Sequence, residues 1–93
     1  MSARQPAKKI VYGDHAEAKF ELLRKHGFAV SRKQVNDTVR KPKKVEEGYK
    51  GRKVAQREIT ETHVLRVVYE EQSEEIHIVT FYPGRKDRYA GKL

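Results

Sequence analysis

Two hydrophobic rhythms divide this chain. Before Pro42 apolar residues recur every three or four positions, and from residue 44 onward they alternate with polar ones. The first spacing is that of an amphipathic helix and the second that of a half-buried strand. Ala16, Phe20 and Leu23 form one helical stripe, and Asp14 with Glu17 has the spacing of an N-cap and its reciprocal partner. Gly27 fits the left-handed position past a last turn, where Phe28 would pack back on Leu23. The pattern predicts a helix over 14–26. A second helix over 31–41 is bounded by a Ser31–Gln34 capping box, with Val30 and Val35 as its hydrophobic staple. Val35 and Val39 mark its buried side, and Pro42, which lacks the helical N–H, ends it.

The alternating part reads as a meander over 44–82. "KVEEGYKGRKVAQREI" forms one hairpin turning near Lys50-Gly51, and "HVLRVVYEEQSEEIHIVTFY" forms another turning at Gln72-Ser73. "KKIVY" (8–12) offers a short additional edge strand. Helices first and strands afterwards imply an α+β fold, with both helices on one face of a three- to four-stranded antiparallel sheet. The 93 residues fit one domain, with a loose arm over 1–8 and a basic tail over 83–93.

A turn at Gln72-Ser73 sets Tyr69 opposite Ile76, Val68 opposite His77 and Arg66 opposite Val79. One face then carries Leu65, Val67, Tyr69, Ile76 and Ile78, suited to lie under the helices. The other carries Val64, Arg66, Val68, His77, Val79 and Phe81, a cation and an imidazole among apolar neighbours. A one-residue slip would separate Arg66 from His77. The strand "RKVAQREI" turns either Arg57 or Gln56 and Glu58 toward the core.

Charge changes this picture. Lys and Arg number 21 against 13 Asp and Glu, a net of +8, which favours a polyanionic partner: nucleic acid or an acidic protein. Cysteine is absent, which excludes disulfides, thiolate metal sites and thiol nucleophiles. His15, His26, His63 and His77 have no metal-ligand spacing, no glycine-rich phosphate loop is present, and no cofactor is expected. No apolar run approaches the roughly 20 residues of a membrane span, and the first residues lack a signal-peptide core, so a soluble cytoplasmic protein is expected. Lys50, Arg52 and Lys53 near the first hairpin turn form either a solvated loop or the rim of an RNA groove.

His15, Arg24 and Gly27, then Pro42, Val45 and Gly48, then Arg66 to Tyr69, then Thr80 to Pro83 follow one another in a characteristic order. In this the chain resembles the RelE/ParE toxin superfamily, and more narrowly its small branch of RelE-like domains, over about residues 14–89. The resemblance implies a toxin-antitoxin fold, an antitoxin protein as partner, and a metal-independent endoribonuclease acting on mRNA, in some members on the ribosome. It implies that Arg66 and Arg85 stand at the scissile phosphate and that Tyr89 is the late tyrosine of the site. The second branch of the superfamily inhibits DNA gyrase without cutting RNA, so fold alone leaves the activity open.

Metal-free RNA cleavage needs a base for the 2′-OH, an acid for the leaving oxygen and a cation for the phosphorane. Arginine suits the last role through its bidentate fork. Tyr89 or His77 is the candidate acid or base, and a tyrosine of ordinary pKa near 10 needs cationic neighbours to work as a base at pH 7. Arg57, Lys86 and Arg88, with the Lys50–Lys53 cluster, are the candidate nucleic-acid contacts. A catalytically silent module that holds an antitoxin-like helix or nucleic acid is the alternative.

Overall fold

The computed structural model of the chain describes residues 8–89, Tyr89 through its backbone. Strand β1 (Lys9–Tyr12) leads into helices α1 (Asp14–Lys25) and α2 (Arg32–Arg40). Strands β2 (Lys44–Glu47), β3 (Lys53–Glu58), β4 (His63–Glu71) and β5 (Glu75–Arg85) follow, then a one-turn helix α3 (Lys86–Tyr89). The sheet has the order β1-β5-β4-β3-β2. The fold is α+β, and the sheet is mixed and five-stranded rather than a three- or four-stranded antiparallel one. The difference is β1, which lies parallel to β5 with Ile10 beside Ile76 and Tyr12 beside Ile78. From β1 at one sheet edge the chain therefore crosses through the helical pair and re-enters at the opposite edge as β2.

The helix ends follow local chemistry, with one exception. Gly13, not Asp14, is the N-cap of α1, and it has no side chain to cap with. Asp14 becomes the first helical residue, where its charge still complements the positive end of the helix. Glu17 does not reach back to the cap. Its carboxylate accepts from both terminal nitrogens of Arg32 on α2, at 2.8 and 3.0 Å. At the other end Phe28 N donates to Leu23 O at 2.9 Å and Gly27 N to Arg24 O at 3.0 Å, with Gly27 at φ +82°. These are the two bonds of a Schellman motif. On α2 the Ser31–Gln34 capping box has both of its hydrogen bonds.

The last hairpin departs most from the alternation. Its loop closes with Gln72 N on Glu75 O, and Tyr69 faces Ile78 where Ile76 was expected. That two-residue shift preserves the faces. Beyond it a β-bulge inserts Val79, so Val67 faces Phe81 and Arg66 faces Tyr82. The odd increment exchanges two residues. Phe81 turns under the helices, fully buried with its ring 4.7 Å from that of Phe20, and Tyr82 takes the place beside Arg66. Burying a phenylalanine is worth about 1.5–3 kcal/mol, which favours the bulge over a regular ladder with Phe81 outward.

Pro83 and Gly84 do not break the strand. Pro83 pairs with Leu65 and Gly84 with Val64. Past Ile78 strand β5 no longer has β1 beside it, and an edge tolerates a residue without an N–H. The core lies between the helices and one sheet face: Ala16, Val30, Val35 and Val39 above, Ala55, Leu65, Val67, Tyr69, Ile78 and Phe81 below. The expected arm falls mostly in residues 1–7, and the end of the expected tail in residues 90–93; both lie outside the described residues.

Candidate nucleic-acid interface

Val54, Gln56, Val64 and Arg66 occupy the sheet face away from the core, and all four are buried. The pairing of Gln56 with Arg66 resolves the open register of β3: Ala55 faces the helices and Gln56 turns away. Arg66 is the centre of this face. Its Nε donates to the Tyr82 hydroxyl at 3.0 Å, one terminal nitrogen donates to Gln56 Oε1, and the other reaches Glu46 Oε1 at 2.9 Å. Glu46 also holds Lys44 at 3.1 Å through its second oxygen. The Arg66 side chain is 8% exposed and that of Glu46 40%.

Burial works against the charge on Arg66, but the hydrogen bonds to Tyr82 and Glu46 outweigh it and keep the pKa above the ordinary value. Hydrogen bonds from Arg66 and then Lys44 hold the Glu46 carboxyl below its usual range. A guanidinium so placed is already held by Tyr82, Gln56 and Glu46. A phosphate reaching it would have to displace Glu46.

The other expected catalytic residues do not gather around it. Arg85 lies opposite His63, three positions along β4 from Arg66, about 10 Å away by strand rise and on the helix side by alternation. It is exposed and its Nε lies 3.5 Å from Asp87 Oδ1. His77 lies opposite Glu70, about 13 Å along the sheet from Arg66, with Nε2 3.2 Å from Glu75 Oε1. Arg66 and His77 share the face away from the helices, as expected, but the shifted and bulged register sets them four positions apart along β4 rather than two. The Tyr89 side chain lies outside the described residues.

The expected nucleic-acid contacts divide between the two ends of the sheet. At the end with the β4–β5 loop, Arg52 bonds Glu70 at 2.9 Å and Lys53 bonds Glu71 at 3.0 Å. Lys8 shares Glu71, and hydrogen bonds from Lys8 and Lys53 lower that carboxyl's pKa. Lys50, with φ +60° in the turn, is exposed there. Five cations at this end (Lys8, Lys9, Lys50, Arg52, Lys53) meet five carboxylates (Glu47, Glu70, Glu71, Glu74, Glu75).

The opposite end is unbalanced. Arg40, Lys41, Lys43, Arg57, Arg85, Lys86 and Arg88 stand against Glu58, Glu61 and Asp87. Arg57 donates to the Lys41 carbonyl at 2.6 Å, and Lys43 N donates to Gln56 O at 2.8 Å, which ties the end of α2 to β3. Nearby Asp37 is occupied by Lys33 at 2.9 Å. Lys43, Arg57 and Glu58 line a cleft of about 330 Å³, and Glu58, Ile59, Thr60, Glu61 and Lys86 line a second of about 290 Å³.

Sequence reasoning assigned no role to Glu46, Gln56 or Tyr82, the partners of Arg66. Nothing in the alternation pointed to Tyr82, because the bulge alone brings it there. Arg40 and Lys41 lie off the Val35–Val39 side of α2, and only the α2–β3 junction joins them to Lys43 and Arg57. Among the described residues no three His, Asp or Glu side chains are grouped to hold a metal, and no helix is long and apolar enough to cross a membrane. No family model matches the chain, and neither the curated proteins nor the solved structures give a match.

Proposed function

We propose that this chain is a RelE/ParE-like RNA-binding domain that holds its ligand through phosphate contacts and carries no Arg66-centred ribonuclease chemistry. The observation that carries this reading is the state of Arg66: its guanidinium is buried and bound to Glu46, Gln56 and Tyr82, while Arg85 lies toward the other face. A transition-state cation must meet the charge that develops on the phosphorane, and a guanidinium already neutralised by a carboxylate is poorly placed for that. The cation excess at the α2 end of the sheet suits sequence-independent backbone binding. The family placement draws on the order of motifs and on the helical pair preceding an antiparallel meander.

The test is a labelled single-stranded RNA of about 20 nucleotides titrated with purified protein at rising salt. Affinity falls linearly in log–log form, with a slope of about 0.7 for each phosphate neutralised. The same RNA stays intact on a gel in metal-free buffer, with and without ribosomes. Cleavage products that disappear in Arg66→Met, with the fold retained, would restore the nuclease reading and overturn this one.

A further inference from the structure

The cations at the α2 end do not form a uniform halo. Lys43 and Arg57 flank one cleft, Lys86 flanks the next, and Glu58 belongs to both. Lys43, an exposed residue, has no carboxylate within ion-pair distance among the described residues. Arg57 uses part of its fork on the Lys41 carbonyl, which fixes the group and leaves most of its five N–H donors available. Lys86 is half-buried, and its Nζ stands 3.5 Å from Oε1 of the exposed Glu58, a long pair that contributes little to stability.

On the reading that the ligand is RNA, we infer that its backbone crosses this end of the sheet, one phosphate in the Lys43–Arg57 cleft and the next at Lys86, where Glu58 now stands in for it. The occupant follows from charge complementarity. A fixed guanidinium and two ammonium groups face a repeating monoanion, with Glu58, and Glu61 beside it in the second cleft, as built-in competitors. The other basic group cannot serve equally, because Arg52 and Lys53 are already matched by Glu70 and Glu71. Glu58 sets the affinity: with its charge in place Lys86 is screened, and without it the track gains a contact.

The experiment uses fluorescence anisotropy of the same 20-nucleotide RNA with wild type, a Lys43→Ala/Arg57→Ala double variant, Glu58→Gln and Lys50→Ala. The double variant lowers the salt slope by about 1.4 and weakens binding more than tenfold at 0.1 M salt, at about 0.7 per single-strand contact. Glu58→Gln tightens binding and steepens the slope, and Lys50→Ala leaves both near wild type. Wild type that binds no RNA at 50 mM salt refutes the RNA-binding reading itself. Wild type that binds, with the double variant and Glu58→Gln unchanged, refutes the track alone. Single-stranded DNA of the same sequence binds with a similar salt slope, because the contacts are to phosphate, and a DNA affinity that the double variant leaves unchanged overturns the track. Circular dichroism melting checks each variant. Should loss of Arg57 from the α2 end unfold the domain, Lys43→Glu, at an exposed side chain, must still weaken binding, and no effect there refutes the track.

Discussion

Removing Glu46 should cost more stability than removing Arg66, although the two form one ion pair. Substitution of Glu46 by alanine removes a carboxylate from a guanidinium that is 8% exposed and keeps its bonds to Gln56 and Tyr82. Breaking a fully buried pair this way costs about 3–5 kcal/mol. Here the carboxylate side is 40% exposed, so water enters and about 2–3 kcal/mol is the better expectation. Arg66→Met is milder. Met fills the space of the arginine stem, and Glu46 keeps Lys44 and recovers water. The main loss is a buried Gln56 oxygen without its donor, about 1–2 kcal/mol. Melting at pH 7 reads both, at roughly 4–8 °C per kcal/mol for a domain of this size. A double-mutant cycle should give a coupling of about 1–2 kcal/mol, because Arg66→Met removes the charge that Glu46→Ala strands. Should Glu46→Ala melt within about 2 °C of wild type, or the two substitutions prove additive, the carboxylate does not hold the guanidinium, and Arg66 is open to a phosphate after all.

Gly27→Ala strains the end of α1, because φ +82° is costly for any side chain, and about 1–2 kcal/mol of stability should be lost in urea unfolding. The loss must come from the backbone, since an added Cβ would meet nothing within 4 Å. Acid should loosen the Arg66 face and the Glu71 cluster. Glu46 and Glu71 have folded-state pKa values below the reference 4.5, so their contribution is complete above that pH and disappears as pH falls through the lower folded values. A melting temperature that stays flat from pH 6 to pH 3 would contradict both ion-pair clusters.

The helical half was legible because its signals are local. The Ser31–Gln34 box, the Val30–Val35 staple and the Gly27 turn each need only a few consecutive residues, and each has the expected form. Asp14 failed as a cap because Gly13, one residue earlier, already has the extended φ and ψ of the N-cap, and Glu17 finds a stronger partner in Arg32. That partner sits 15 residues away on another helix, outside any capping pattern. The sheet was harder for the same reason. Alternation finds strands and separates their faces, but it cannot count residues across a bulge or see that a parallel β1 would cover one side of β5 only as far as Ile78.

The single inserted residue at Val79 decides how the candidate site is read. With a regular ladder Arg66 would lie beside Val79, with Phe81 exposed on the same face, and an arginine set among apolar side chains invites an external anion to cover it. With the bulge, Phe81 leaves for the core and Tyr82 arrives with a hydroxyl that accepts from Nε. Glu46 and Gln56 then complete the set from two further strands. The arginine that looked most available becomes the one most fully occupied. Arg57, an expected nucleic-acid contact, is joined by Arg40, Lys41 and Lys43, which looked like ordinary helix and loop surface, and this end of the sheet carries an excess of positive charge among the described residues. Packing of one aromatic ring thus moves the expected anion contacts from the middle of the sheet to its end, and the function to be tested moves with them from cleavage toward binding.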